Sequence, residues 1–229
     1  VFSERPGDQK GEKHEAFREQ FGRFLSAQRS FEVEAGEAIF HQGSPLSSAL
    51  FLQAGVVKRE FLVPAGKHFL LDLLGPPHLI NLTLMEPTQQ VSASAVEPVT
   101  VASVPLPAYL DWLGENPDRW RFRLQQYARL VQKLQRRIGL LAYYGVRERL
   151  LVALLELMRV WTPAEDNSVT IPLQGQDLAE MVGGSRETVV RELGVLKQRG
   201  LLQVGHRHVT MLDVTVFRTY CQNQGLELP

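Results

Sequence analysis

The spacing of hydrophobic residues changes three times along the chain, and each change predicts a different kind of element. From His14 to Gln28, Phe17, Phe21, Phe24 and Leu25 recur at helical spacing and predict a short amphipathic helix that packs on the next part of the chain. From Phe31 to Pro105 the apolar residues fall into short runs cut by Gly36, Gly43, Gly55, Gly66 and the Gly75-Pro76-Pro77 cluster. The runs at 49–53, 56–63, 68–74 and 100–104 predict strands of about five residues separated by tight turns, hence a β-sandwich or roll.

Between Pro117 and Tyr144 the period changes again. Trp120, Leu124, Tyr127, Val131, Leu134, Ile138 and Leu141 alternate spacings of four and three, which is a heptad seam. Arg121, Arg123, Gln125, Arg129, Lys133 and Arg136 are expected on the other faces. A stripe this narrow suits a helix packed on a copy of itself or a helix lying on its own β-domain. Phe122, Leu130 and Leu140 lie off the seam, so both arrangements stand together. Gly145 interrupts the pattern as a candidate hinge.

A second apolar helix is predicted over 146–160, followed by a loop at 162–168 and a short strand at 169–173. Next comes a short amphipathic helix over Gln174–Val182, with Leu178, Ala179 and Val182 inward. Gly183-Gly184 supplies a turn, and Ser185 is a good N-cap for a further helix running to Gln198. Val189, Leu193 and Leu196 give that helix a buried face. Small Ala179 followed four residues later by Gly183 is helix-turn-helix spacing. Leu201–Val204 and Arg207–Leu212 are expected to pair across Gly205-His206 as a wing.

The predicted exposed face of the second helix carries Arg186, Glu187 and Arg191. An arginine can donate a parallel pair of hydrogen bonds to guanine, and a glutamate can accept from cytosine N4, so this trio can read base edges in a major groove. Ser185 and Thr188 can hold phosphates, and Arg207 at the wing tip can contact the backbone. A solvated charged face is the alternative for any helix bearing arginine and glutamate.

Charge refines this picture. The chain has 25 basic and 25 acidic residues, so it lacks the basic excess of a generic nucleic-acid binder. Between Gly184 and His208, however, Arg186, Arg191, Lys197, Arg199 and Arg207 face only Glu187 and Glu192. Any DNA contact is therefore expected to be local. A single cysteine, Cys221, excludes a disulfide framework and an all-cysteine zinc or iron–sulfur site within one chain. No run of about 18 apolar residues predicts a membrane span, and the expected location is cytoplasmic. No phosphate-binding glycine loop, nucleophile elbow, HExxH motif or clustered carboxylate pair points to an enzyme.

The stretch GGSRETVVRELGVLKQRGLL, Gly183 to Leu202, resembles the recognition-helix motif of the catabolite-activator and fumarate-nitrate-reductase regulator (Crp/Fnr) family. AGEAIFHQGSPLSSALFLQAGVVK and LAYYGVRERLL support the resemblance, which extends from about Phe31 onward. It implies an α+β chain with an N-terminal cyclic-nucleotide-binding-like β-roll, a long dimerisation helix and a C-terminal winged helix-turn-helix. The corresponding boundaries are a tail at 1–13, the roll with its leading helix at 14–116, the dimerisation helix and hinge at 117–145, and the DNA-binding part at 146–229. Implied partners are a second copy of the chain, double-stranded DNA with a two-fold symmetric operator, and RNA polymerase, with no membrane. Arg186, Glu187 and Arg191 match the residues that read the half-site, often of GTGA type.

The effector site departs from that pattern. Cyclic-AMP-binding members hold the ligand with a glycine-glutamate pair and then an arginine-serine pair. Here Asn81 and Leu82 stand near the first pair and Val91 in place of the arginine, with Ser92 retained. These four and Leu134 form the expected effector pocket. A cyclic phosphate needs a positive partner, so cyclic AMP is disfavoured. No cofactor is assigned; haem, through His41, His68 or His78, and 2-oxoglutarate, through Arg129, Lys133 or Arg136, stay open. The competing function is a small-molecule sensor acting mainly through protein partners.

Overall fold

The computed structural model describes residues 12–64, 66–81 and 84–226, with side chains from residue 19 onward. Residues 1–11 of the expected tail, the Phe17 side chain and Leu82 lie outside the described residues. The chain forms two compact units: one runs to residue 62 and adds 73–134, and the other comprises 63–72 and 135–229.

The first unit begins with α1 (Glu12–Ser26), which starts inside the segment expected to be a tail. It continues with β1 (Arg29–Val33), β2 (Ala38–Phe40), β3 (Ser48–Ala54) and β4 (Val57–Leu62). The chain returns through β5 (His68–Leu74), of which 68–72 are counted with the second unit, and through β6 (His78–Leu79), β7 (Ser92–Ala95) and β8 (Val99–Pro105). Two four-stranded sheets result, ordered β1-β8-β3-β6 and β2-β7-β4-β5. Between them Leu52, Val57, Leu74, Ile80, Ala93 and Val101 make a buried apolar core, each large side chain contributing about 1.5–3 kcal/mol by burial. Gly55 joins β3 to β4 at φ +80°, and a Cβ there would stand 2.4 Å from the Pro98 carbonyl oxygen, so this turn admits only glycine.

A second cluster lies on the outer face of the first sheet. Phe51, Ala102 and Val104 pack there with Tyr109, Trp112 and Leu113 of α2 (Leu106–Gly114) and with Phe21, Phe24 and Leu25 of α1. The helix predicted at 14–28 is therefore present and covers the roll with its phenylalanines, whereas α2 was not anticipated. Helix α3 (Pro117–Tyr143) crosses from the first unit into the second.

In the second unit, α4 (Val146–Leu157) buries Leu150, Leu151, Leu154 and Leu155. Strand β9 (Val169–Ile171) joins β10 (Leu202–Val204) and β11 (Val209–Met211) in a sheet ordered β10-β11-β9. Helices α5 (Gly175–Val182) and α6 (Arg186–Gln198) stand between β9 and β10 in the chain. Helix α7 (Val214–Asn223), also unanticipated, buries Val214, Phe217 and Cys221. Burial pushes the Cys221 thiol up to about 12, so it is an inert packing residue. Among the described residues no helix is long and apolar enough to cross a membrane.

Candidate nucleic-acid interface

The α5–α6 turn follows from local chemistry. Asp177 accepts the Gln174 backbone N–H at 3.0 Å and fixes the start of α5. Gly183 ends that helix in the left-handed region at φ 62°, ψ 43°, and the Gly184 N–H bonds back to the Ala179 carbonyl at 3.0 Å. This is the closure a glycine after a helix provides. The turn is crowded as well: a Cβ on Gly184 would stand 3.0 Å from Val146. Ser185 then caps α6, its hydroxyl accepting the Thr188 N–H.

From this start α6 buries Val189, Leu193 and Leu196 and leaves Arg186, Glu187 and Arg191 exposed. These three expected base readers share one face. The Glu187 carboxyl is held below its ordinary range by its own backbone N–H, with the Ser185 hydroxyl. It is thus an ionised, acceptor-only group at neutral pH, as recognition of cytosine N4 requires. Arg191 Nε lies 3.6 Å from Glu192, with the arginine side chain 70% exposed, a weak pairing that leaves the guanidinium available. Val190, half exposed between Arg186 and Arg191 on the same face, was not singled out from the sequence. Its methyls can meet a thymine methyl.

Ser185 and Thr188 are engaged with each other, their hydroxyl oxygens 3.1 Å apart, so their first role is to cap. The Ser185 side chain remains at the surface, where a phosphate can still reach it. The wing differs in detail from expectation. Val204 pairs with Val209, and the turn spans four residues, Gly205 to His208, rather than two. It closes through the Gly205 N–H to the His208 carbonyl, and the His208 ring occupies the space where a Cβ on Gly205 would lie. His206, Arg207 and His208 are exposed at the tip. Arg199 instead stands over the Tyr220 ring of α7 at 5.6 Å.

The expected effector residues do other work. Asn81 is 1% exposed; its Oδ1 accepts the Leu50 N–H at 2.9 Å, and its Nδ2 donates to the Ser48 carbonyl at 2.8 Å. Ser92 accepts the Gln42 N–H at 3.0 Å, and Val91 packs against the inter-sheet core. Leu134 is 40% exposed on α3. Among the described residues the buried cations are Arg59, donating to the Ile80 carbonyl, and Arg123; of the three cations named for 2-oxoglutarate, Arg136 is exposed, Arg129 is half-buried and Lys133 has its Nζ buried. The strand alternation that turns Val57 inward also turns Arg59 inward, a signal the sequence carried. His41 and His68 are exposed and His78 Nδ1 donates to the Gly75 carbonyl. Among the described residues no cluster of three metal-ligating side chains forms.

Along α3 the heptad stripe is largely uncovered within one protomer: Leu124 is 63% exposed, Val131 52% and Ile138 65%. Trp120 instead packs against the outer cluster of the roll. Phe122, Leu130 and Leu140 are half-buried, in keeping with a helix that covers its own chain on one side.

Residues 30–116 match the family of the cyclic nucleotide-binding domain, and residues 148–220 match the Crp-like helix-turn-helix domain. The chain is 31% identical over 173 residues to the cyclic AMP receptor protein of Thermus thermophilus, covering 74% of this chain and 77% of that protein. It is 28% identical over 194 residues to the global nitrogen regulator of Nostoc sp., covering 82% and 87%. The solved structure of the c-di-GMP-responsive global regulator CLP from Xanthomonas campestris shares its fold. The TM-score is 0.73 at 19% identity, over 85% of this chain and 98% of that one.

Proposed function

The chain belongs to the Crp/Fnr family of transcription regulators, a family of regulators rather than enzymes, and from that premise we propose that it binds a two-fold symmetric operator as a homodimer. The observation that carries this proposal is the face of α6, where Gly183 and the Ser185 cap set Arg186, Glu187, Val190 and Arg191 side by side and exposed. In this reading Arg186 and Arg191 donate to guanine, Glu187 accepts from cytosine, and Ser185, Thr188 and Arg207 hold the phosphate backbone.

The uncovered stripe of α3 supports the dimer, because an apolar seam of this length is normally buried by a partner. Leu124, Tyr127, Val131, Leu134, Ile138 and Leu141 are the proposed seam, while Trp120, expected at its head, packs on the roll. Functionally, 14–116 is the sensor-type roll, 117–145 the dimerisation helix and hinge, and 146–229 the operator-binding part. RNA polymerase is the further partner, and a cytoplasmic location follows from the role. The Thermus relative is named for cyclic AMP and the Xanthomonas regulator for c-di-GMP. Here Val91 packs into the core where a cyclic phosphate would need a cation, which argues against cyclic AMP.

Fluorescence anisotropy of the full chain on a symmetric duplex with two GTGA half-sites, against the same duplex with one half scrambled, tests the proposal. A steep loss on scrambling is expected; equal affinities would refute paired recognition.

A further inference from the structure

Val190 is 50% exposed on α6, on the face that carries Arg186 and Arg191. A β-branched residue in a helix is held in one preferred rotamer, so its methyls keep a fixed direction. One of them, Cγ2, lies against Gly175 at the start of α5, where a Cβ would stand 3.2 Å away. Gly194 follows Val190 by one turn on the same side of α6, and a Cβ there would stand in open space. Neither glycine lies in the left-handed region, so the backbone requires glycine at neither position.

A lone surface valine needs no explanation, but the two glycines beside this one do. Glycine inside a helix lowers its stability, and at Gly194 no packing within the chain offsets that cost. Gly175 leaves room for the Val190 side chain, and Gly194 leaves bare backbone next to it. The outcome is a fixed methyl at the surface, flanked by arginines that can bond to bases.

Major-groove chemistry restricts what this spot can meet. Base edges there present donors and acceptors, which Val190 cannot use, and a single apolar group, the 5-methyl of thymine. A polar edge set against Val190 would lose its water and gain no bond. A methyl–methyl contact gains only at a separation of about 3.5–4.0 Å, and a bare Gly194 lets α6 come that close.

We propose that α6 selects thymine at one position of the half-site by its 5-methyl group, with Val190 as the specificity-determining contact and Gly175 and Gly194 making room for it. This preference rests on the operator reading and adds what hydrogen bonds from Arg186, Glu187 and Arg191 do not supply.

The test uses the full chain and the symmetric duplex it enriches from a random pool, with thymine replaced by uracil one symmetry-related pair at a time on either strand. Uracil keeps every hydrogen-bonding atom and lacks only the methyl. One such exchange is expected to weaken binding about fourfold per half-site, roughly fifteenfold for the two. Val190→Ala is expected to bind the thymine duplex as weakly as the parent binds the uracil duplex, and to be indifferent to the exchange. Gly194→Leu, a better helix former in open space, is expected to melt no lower than the parent yet bind the operator more weakly. A parent indifferent to every exchange, while still rejecting a duplex with one half scrambled, would overturn the proposal and leave the operator reading standing. An exchange effect undiminished in Val190→Ala, or operator affinity unchanged in Gly194→Leu, would overturn it too. Equal binding of intact and scrambled duplexes would sink the operator reading, and this preference with it.

Discussion

The Ser185 hydroxyl accepts the Thr188 backbone N–H at 3.2 Å, and through that bond the first turn of α6 is fixed directly after the Gly183-Gly184 turn. Arg186 and Glu187 occupy that turn, so the cap positions the residues proposed to read bases. Ser185→Ala is expected to destabilise the fold by about 1 kcal/mol, measured by denaturant unfolding. Ser185→Asp, a comparable cap, is expected to keep stability yet lower operator affinity, because its charge faces the phosphates. Equal loss of stability in both variants would contradict the capping role.

Base reading and backbone contact separate by their signatures. Arg186→Ala is expected to weaken operator binding by roughly 1–3 kcal/mol and to relax the preference at one base pair. Lys197→Ala, at the far end of the same helix, is expected to weaken all duplexes alike and reduce the salt slope by about 1 if it holds a phosphate. Affinities on single-substitution duplexes at several salt concentrations measure both. A uniform loss for Arg186→Ala would reduce it to a backbone contact.

The uncovered stripe of α3 gives a third prediction. Leu124→Glu with Ile138→Glu places two charges where the seam is most exposed within one protomer. These side chains bury little in the protomer, so each chain is expected to stay folded while sedimentation shows monomers and operator binding falls with dimer content. Dimers that survive both changes would locate the interface elsewhere.

How far the sequence could be read differs between elements for physical reasons. The Gly183 turn, the Ser185 cap and the face of α6 were legible because each depends on neighbours within one or two turns. The apolar stripe of α3 was legible for the same reason, but what covers its other faces was not. A wheel drawn from one stripe leaves Arg123 and Arg137 looking solvent-facing, and long arginine stems bury readily along apolar surface. Arg137 in fact donates to the Leu70 carbonyl at 2.7 Å and to the Leu71 and Met181 carbonyls, with its guanidinium 4.3 Å from the Phe69 ring. Burial pushes its pKa down, opposed by Asp72 and Glu156. Helix α7 was missed because its β-branched start resembles a strand, although Asp213 is a good cap. The expected pocket residues were carried over from a resemblance, and Asn81 shows the limit of that step: its amide is spent on the Leu50 and Ser48 backbone.

That Asp213 cap makes stability depend on pH. Its carboxylate accepts the Val216 and Thr215 backbone N–H groups and an N–H of Asn167, which hold it below the usual carboxylate range. A carboxyl lowered in the folded state contributes stability above its ordinary pKa and loses it as pH falls through the lowered value. Asp213→Asn keeps an acceptor at the cap but cannot titrate. Its melting temperature is expected to match the parent at neutral pH and fall less steeply in acid; parallel acid profiles would contradict the cap's part in this dependence.

The central claim is paired, sequence-specific reading of DNA by α6, and selection from a pool of fully randomised duplexes tests it most directly. Two copies placing α6 in successive major grooves are expected to enrich a two-fold symmetric site with half-site centres about 10 bp, or a multiple of that, apart. Enrichment of no symmetric site, or the same site enriched by the Arg186→Ala, Arg191→Ala variant, would contradict the account.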